Sequence, residues 1–222
     1  MTQRRKFIIA VSGLLITPWI GGRAIAIRSA ADPARAARPT SGAAAPTIRV
    51  VGIGGAGRAV VEHFRRERIP GIDRTVSIGT STESRHLDVP LNSGIDGDLS
   101  DTDSATIQDA VRGANLVFLV AGLGGETGTR VAPLVADAAR VEGAEVVALL
   151  ITPFAFEGKR RGVAERAVRV MARSANRTIR FSNEEHSQQV GPDVSVATFF
   201  GQINEEIALR LREVISESAS VA

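Results

Sequence analysis

Apolar residues along this chain fall into two kinds of run that alternate with one another. Continuous, mostly β-branched runs are typical of buried strands, and they occupy residues 47–51, 75–78, 115–121, 145–152 and 177–181. Apolar residues three and four positions apart are typical of amphipathic helices, and they occupy residues 59–66, 104–112, 129–141, 158–173 and 194–216. Strands that alternate with helices form parallel sheets covered on both faces. The pattern therefore predicts an α/β fold with a doubly wound parallel sheet.

Two glycine-rich segments each follow a predicted strand and lead into a predicted helix. They read VVGIGGAGRA at residues 50–59 and VAGLGGETGTR at residues 120–130. A helix N-terminus presents unpaired N–H groups and the positive end of the helix dipole, so each segment is suited to hold phosphate. Ligand loops of a doubly wound sheet lie at the carboxyl ends of its strands, which is where both segments fall.

The first segment also fits the dinucleotide fingerprint, through Gly52, Gly54 and Gly57. That fingerprint requires an acidic residue at the end of the second strand to hold a ribose. No carboxylate follows the second predicted strand before Glu83, which disfavours an NAD-dependent enzyme. Tight turns without a ligand also need glycine, but they do not explain two such segments.

Three motifs in order resemble the FtsZ branch of the FtsZ/tubulin family of self-assembling GTPases. Residues 52–58 read GIGGAGR where the family has GVGGGGN, and residues 124–130 read GGETGTR where it has GGGTGTG. Residues 153–158 read PFAFEG and fit the family pattern PFxFEG. The resemblance runs from about residue 47 to residue 214. It implies a Rossmann-like GTPase domain that binds GTP or GDP, with Mg²⁺ alongside GTP.

The resemblance also implies which residues bind the nucleotide. The two glycine-rich loops would hold the phosphates, through Gly54, Gly55, Gly57, Arg58, Gly124, Gly125, Thr127, Gly128 and Thr129. Glu157 and Arg161 match the family's ribose and phosphate contacts, and Asn183 matches its guanine contact. Phe200 would stack on the base, with Asn204 pairing with it one turn later. Taken alone, Phe200 is equally well explained as a core residue.

Departures from the family pattern bear on activity. Glu126 replaces a glycine of the phosphate signature; its carboxylate would repel phosphate, or would itself occupy the anion site. Arg58 replaces an asparagine and adds a cation that could offset this repulsion. The family's N-T-D becomes Gly-Thr-Ser at residues 79–81, and residues 92–103 show no counterpart of the loop that closes over the γ-phosphate.

The sequence after the last predicted helix does not continue into the family's acidic N-x-D-x-A-D loop or second domain. In the family that loop activates water on the neighbouring subunit's nucleotide. We therefore expect a GTPase-type domain without a catalytic residue of its own, which binds guanine nucleotide and associates with itself or with an FtsZ-family protein. The alternative is a nucleotide-free interaction or scaffold protein at the membrane or in the periplasm.

The N-terminal residues differ from the rest in charge and composition. Residues 1–26 combine a basic start at Arg4 and Arg5, an apolar stretch, and a small-residue site at 24–26. This is the layout of a secretory signal of twin-arginine type, so we expect a periplasmic or membrane-tethered domain, with a cytoplasmic protein as the alternative. Residues 27–46 read as an Ala/Pro-rich linker, 47–216 as the GTP-binding domain and 217–222 as a tail.

Composition excludes several other classes of function. The net charge is +3, but residues 1–40 hold seven Lys/Arg and one Asp, which leaves the remainder at −3. An acidic domain without a basic stripe argues against nucleic-acid binding. The chain has no cysteine, and its three histidines are scattered along the sequence, which argues against a zinc site.

Overall fold

The computed structural model describes residues 19–20, 23–24, 46–80, 88–91, 100–191 and 193–221. The chain divides into two units, residues 1–44 and 45–222. In the first unit, the two-residue strands Trp19–Ile20 and Arg23–Ala24 pair antiparallel. The rest of the predicted leader and nearly all of the predicted linker lie outside the described residues.

The second unit is built on a six-stranded parallel sheet. Its strands are β1 (Ile48–Ile53), β2 (Arg74–Thr80), β3 (Val89–Leu91), β4 (Leu116–Gly122), β5 (Glu145–Thr152) and β6 (Arg177–Ser182). They lie side by side in the order β3-β2-β1-β4-β5-β6. The strand order reverses between β1 and β4, so the crevice at their carboxyl ends is the topological switch point where such sheets bind ligands.

Helices connect the strands. They are α1 (Gly54–Glu67), α2 (Asp101–Val111), α3 (Glu126–Val141), α4 (Lys159–Ser174), α5 (Asn183–Val190) and α6 (Val196–Val221), with a short 3₁₀ turn at Ala155–Glu157. None of the helices in these described ranges has the length and apolar character needed to cross a membrane.

The core lies on both faces of the sheet. Along β4, Val117 and Leu119 pack in one hydrophobic cluster, whereas Leu116 and Phe118 pack in the other. Successive strand side chains point to opposite faces, so a strand covered on both sides needs a continuous apolar run. The prediction of a doubly wound parallel sheet is therefore confirmed.

Two elements are absent from the pattern-based prediction. Strand β3 has three residues with Pro90 at its centre, which suits an edge strand but leaves almost no signal. It is fixed by Asp88, whose carboxylate accepts hydrogen bonds from the Ser77 backbone N–H at 2.7 Å and the Ser77 hydroxyl at 2.8 Å and pairs with Arg65. Helix α5 is mostly polar, and the Ser182 hydroxyl caps it by accepting from the Glu185 N–H at 3.2 Å.

Candidate functional site

The two glycine-rich segments contact each other at the switch point. Strand β1 pairs with β4 along its whole length, from Ile48 beside Leu116 to Ile53 beside Ala121. A Cβ placed on Gly54 would lie 3.5 Å from the backbone nitrogen of Gly128. Helices α1 and α3 therefore begin side by side, at the same edge of the sheet.

Two of these glycines bring helix and strand into close contact rather than lining an open surface. A Cβ on Gly57 would lie 2.4 Å from the carbonyl oxygen of Val120, and one on Gly128 would lie 2.1 Å from that of Gly122. Both glycines are buried. Their absent side chains let α1 and α3 approach the sheet, and the phosphate contact that the resemblance implies for them stays a prediction.

Other glycines shape the loops themselves. Gly54 and Gly124 have φ of +69° and +90°, a backbone region that glycine reaches without strain. Gly55 is exposed, and no atom beyond its neighbours lies within 4 Å of a Cβ built there. Gly125 is half-buried. The backbone at Gly55 is therefore open to a ligand, and that at Gly125 lies beside the Arg160 guanidinium, since a Cβ there would be 3.5 Å from its Nη2.

The N-termini of α1 and α3 carry no side-chain cap, and their N-cap residues are Ile53 and Gly125. In contrast, α2 and α5 are capped by the hydroxyls of Ser100 and Ser182. The first N–H groups of a helix have no partner within it. Two adjacent uncapped ends thus present a set of N–H donors and two positive dipole ends to the crevice.

One threonine of the second loop holds it in shape. Thr129 Oγ1 accepts a hydrogen bond from the Gly124 N–H at 3.0 Å, so that donor is engaged within the loop. Thr127 is only 2% exposed. Both residues lie at the predicted site, and Thr129 binds the loop's own backbone.

Two charged side chains, Glu126 and Arg58, belong to the first two turns of these helices. Glu126 is the first residue of α3 and is exposed, beside the positive end of the helix dipole. Arg58 forms an ion pair with Glu62 one turn along α1, at 2.8 Å. The Arg58 charge is therefore partly offset by Glu62, which limits how far it can compensate for Glu126.

The third motif joins the second loop through an arginine that sequence reasoning missed. Glu157 Oε1 accepts from the Phe154 N–H at 3.0 Å, and its Oε2 lies 2.5 Å from Arg160 Nη1. Arg160 Nε donates to the carbonyl of Gly124 at 3.4 Å. Its position three residues after Glu157, in the first turn of α4, is the signal that could have found it. Arg161 lies elsewhere, exposed beside a small cavity of about 80 Å³ beyond the ends of β5 and β6.

The predicted base-binding residues lie on α5 and α6. Asn183 is the first residue of α5 and is 8% exposed, and its buried Oδ1 has no hydrogen-bond partner among the described residues. Phe200 is 44% exposed on α6, and Asn204 is half-buried one turn later on the same helix.

A row of aromatic rings in contact connects α6 to the third motif. The ring centroids of Phe200 and Phe199 are 5.2 Å apart, those of Phe199 and Phe154 are 5.4 Å apart, and those of Phe154 and Phe156 are 5.1 Å apart. The structure thus brings the third motif next to Phe200, and the apolar row leaves Phe156 largely exposed.

Comparison with known proteins gives one consistent family. The family model "Tubulin/FtsZ family, GTPase domain" matches residues 74–191. The cell division protein FtsZ of Pseudomonas putida is 29% identical over 187 residues, which are 76% of this chain and 47% of that protein. FtsZ of Buchnera aphidicola subsp. Schizaphis graminum is 33% identical over 174 residues, 71% of this chain and 45% of that protein.

Solved structures agree with this sequence similarity. An empty FtsZ dimer from M. jannaschii superposes with a TM-score of 0.65 at 26% identity, over 77% of this chain and 54% of that one. CetZ from Methanosaeta thermophila has a TM-score of 0.59 at 19% identity and shares the fold, over 77% of this chain and 55% of that one. The chain spans about half the length of the curated relatives it matches. With the three motifs assembled around one switch point and the family model covering more than half of its residues, the chain belongs to the Tubulin/FtsZ family and carries its GTPase domain.

Proposed function

We propose that this chain binds a guanine nucleotide, GTP or GDP, at the switch point and does not hydrolyse it alone. The observation that carries the proposal is the pair of adjacent, uncapped N-termini of α1 and α3. Their N–H groups and dipoles suit two neighbouring phosphates. Gly55 and Gly125 supply backbone without side chains at the points where a phosphate must come close.

The residues predicted to contact the base support a preference for guanine. A buried carbonyl oxygen without a partner costs about 1–3 kcal/mol, and Asn183 Oδ1 is in that position within the described part of the chain. A guanine edge offers N–H donors that would satisfy it. Asn204 supplies a second amide with both donor and acceptor, and Phe200 offers an exposed ring face for stacking.

Titration with nucleotide tests the proposal. We expect the full chain to bind GTP and GDP, and to bind ATP much more weakly, in calorimetry. Asn204→Ala should weaken GTP by about 1–3 kcal/mol without improving ATP, because it removes a hydrogen-bonding partner of the base. Gln202→Ala changes an exposed amide on the same helix and should leave both affinities unchanged. Equal affinity for GTP and ATP in the unmutated chain would contradict base recognition through Asn204.

The second candidate is a nucleotide-free interaction protein with the same fold. Its support is Glu126, which brings a carboxylate to the N-terminus of α3, where a phosphate would otherwise interact with the dipole. On this alternative the chain binds neither GTP nor GDP at millimolar concentration, and its function lies in association with itself or with an FtsZ-family protein. The FtsZ of M. jannaschii is itself a dimer in its solved structure.

The hydrogen-bond partners of Glu157 support the proposal that the chain does not hydrolyse nucleotide alone. Both of its carboxylate oxygens are engaged, one by the Phe154 N–H and the other by Arg160. Hydrolysis requires a group that orients the attacking water, and Glu157 is the only carboxylate that the resemblance places at the nucleotide. Because both of its oxygens are engaged, Glu157 positions Arg160 at the second glycine-rich segment rather than orienting a water molecule.

We further propose export or membrane tethering through residues 1–26. A twin-arginine receptor reads guanidinium geometry, so replacing Arg4 and Arg5 by Lys keeps the charge but should block export. A reporter fused after Ala26 should then remain in the cytoplasm. Export that is unchanged by the double substitution would contradict the twin-arginine route.

A further inference from the structure

A buried imidazole nitrogen without a hydrogen-bond partner among the described residues lies on the side of α1 that faces α6, away from the glycine-rich loops. His63 is 9% exposed, and its Nε2 is fully buried. Within the part of the chain that the structure describes, this nitrogen has no hydrogen-bond partner. The carboxylate of Glu205, on α6, approaches it to 3.3 Å.

A second carboxylate completes the group. Glu67 lies four residues after His63 on α1, so both side chains are on one face of that helix. The ligand atoms of His63, Glu67 and Glu205 all lie within 4.8 Å of one another. Both glutamates are exposed and free to adjust, whereas the imidazole is fixed by its burial.

The distances suit a metal ion. Zinc binds histidine nitrogen and carboxylate oxygen at about 2.0–2.2 Å, so two ligand atoms of one ion are at most about 4.4 Å apart. A small rotation of the exposed glutamate side chains is enough to reach that spacing. One nitrogen and two carboxylates are also a ligand set that zinc and cobalt accept.

The group opens on a cavity. A groove of about 590 Å³ lies between α1, α5 and α6 and includes His63 and Glu205 in its lining, together with His186 and Glu206. A metal with three protein ligands keeps at least one position for water or another ligand, and the groove provides the access for it.

We propose that His63, Glu67 and Glu205 bind a divalent transition-metal ion, Zn²⁺ or Co²⁺, which joins α1 to α6. The sequence argued against zinc because its histidines are scattered. The fold changes that argument, because it brings two carboxylates to the buried His63. Glu67 comes from the next turn of the same helix, and Glu205 comes from the last helix of the domain. The proposal is independent of nucleotide binding, because none of the three residues belongs to the predicted nucleotide site.

The competing explanation is a simple ion pair between protonated His63 and Glu205, with Glu67 a solvated neighbour. The same groove offers a matched comparison. His186 Nδ1 lies 3.6 Å from Glu206, which is a similar histidine–carboxylate pair, but no third ligand joins it among the described residues.

Cobalt and zinc titrations of the full chain, produced without a histidine tag, test the proposal. We expect one Co²⁺ per chain, seen as visible d–d absorption, and its displacement by one equivalent of Zn²⁺. His63→Gln and Glu205→Gln should each weaken binding by at least about tenfold, since even the loss of a group that only supports a metal ligand typically costs about 10–100-fold. Zn²⁺ should also raise the melting temperature of the unmutated chain, but not of Glu205→Gln.

Two control variants locate the site. Glu206→Gln and His186→Gln, which change the neighbouring carboxylate and the matched histidine of the same groove, should bind Co²⁺ as the unmutated chain does. If His63→Gln fails to fold by circular dichroism, the exposed positions Glu67→Gln and Glu205→Gln carry the test. The proposal is overturned if the chain binds no Co²⁺ stoichiometrically, if Glu205→Gln binds normally, or if Glu206→Gln loses binding equally.

Discussion

A carboxylate at a helix N-terminus can stabilise the protein or compete with its ligand, and Glu126 is placed to do both. It is exposed at the first position of α3, directly after the uncapped Gly125. Arg58, the cation that the sequence offers to offset this carboxylate, is engaged by Glu62. Glu126 therefore decides between the two candidate functions more directly than any other residue.

Glu126→Gly should strengthen nucleotide binding. The substitution removes like-charge repulsion and a group that competes for the same N–H donors. The dissociation constant for GTP, measured by calorimetry, is expected to fall. Glu142→Gly removes the same charge at the opposite end of α3 and should leave GTP affinity unchanged. An unchanged or higher dissociation constant for Glu126→Gly would place its carboxylate outside the phosphate site.

How far the sequence predicts single residues depends on whether the signal is local. The glycines are visible in the sequence, but the packing role of Gly57 and Gly128 appears only when their distances to the neighbouring strands are known. The spacing of Arg160 from Glu157 is visible in the sequence, but its contact with the Gly124 carbonyl appears only in the structure.

At the scale of elements, the close contact of α1 and α3 with the sheet fixes the crevice. A glycine between helix and strand allows this contact, whereas a glycine on the open side of a helix only lowers helix stability. Gly128 and Gly55 represent these two situations.

Gly128→Ala and Gly55→Ala should therefore have opposite effects on stability. The added methyl group at Gly128 meets the Gly122 carbonyl at 2.1 Å, and such overpacking costs about 1–3 kcal/mol or more. At Gly55 it enters open space, and the higher helix propensity of alanine adds up to about 1 kcal/mol. Urea unfolding followed by circular dichroism measures both. Equal stability of the two variants would contradict the packing role of Gly128.

The edge strand β3 gives the domain a pH-dependent element. Burial alone would raise the pKa of Asp88, but hydrogen bonds from Arg65 and Ser77, together with the Arg65 charge, outweigh it and lower that pKa below its usual value. A carboxyl whose folded-state pKa is lowered contributes stability above its unfolded pKa of about 3.9. That contribution is lost as the pH falls through the folded-state value.

Asp88→Asn should therefore lower the urea midpoint at neutral pH, where the charged contacts exist. As the pH falls below the unfolded value of about 3.9 and through the lower folded-state pKa, the wild-type carboxyl becomes protonated and the difference between the two proteins should become small. Asp109→Asn removes an exposed carboxylate paired with Arg112 and should change the midpoint little at either pH. A constant difference between wild type and Asp88→Asn across this range would contradict the charge-based contribution.

Element prediction succeeded where burial on both faces leaves a continuous apolar run, as in β4 and β5. It missed elements whose formation depends on contacts with other parts of the chain or on a cap. Strand β3 is held by Asp88 from outside the strand, and the polar helix α5 is set by the Ser182 cap. Neither contact has a periodic signature.

At the scale of the whole molecule, binding a nucleotide and hydrolysing it require different groups. The proposed nucleotide site provides N–H donors, a helix that carries the predicted base-binding residues and a cation at Arg160, but its matched carboxylate is engaged by Phe154 and Arg160. The 222-residue chain is therefore expected to hold nucleotide without turning it over.

The purified chain should show no GTP hydrolysis whose specific rate rises with protein concentration, and no GTP-dependent filaments by light scattering or electron microscopy. Phosphate release in the presence of Mg²⁺ measures the first. Cooperative turnover of the chain alone would reveal a catalytic group outside those considered above. Activity that appears only when a full-length FtsZ is added would show that this group comes from the partner.

The two uncapped helix ends also affect how long the protein survives in a cell. A serine N-cap contributes typically about 1 kcal/mol relative to an apolar residue such as Ile53, but only a few tenths relative to a glycine such as Gly125, so α1 and α3 together forgo roughly 1–1.5 kcal/mol that α2 and α5 retain in their serine caps. A ligand that binds the folded chain at 100 times its dissociation constant restores about 2.7 kcal/mol. Because proteolysis follows the small unfolded fraction, the abundance of this protein should rise and fall with the supply of any anion that binds in its crevice.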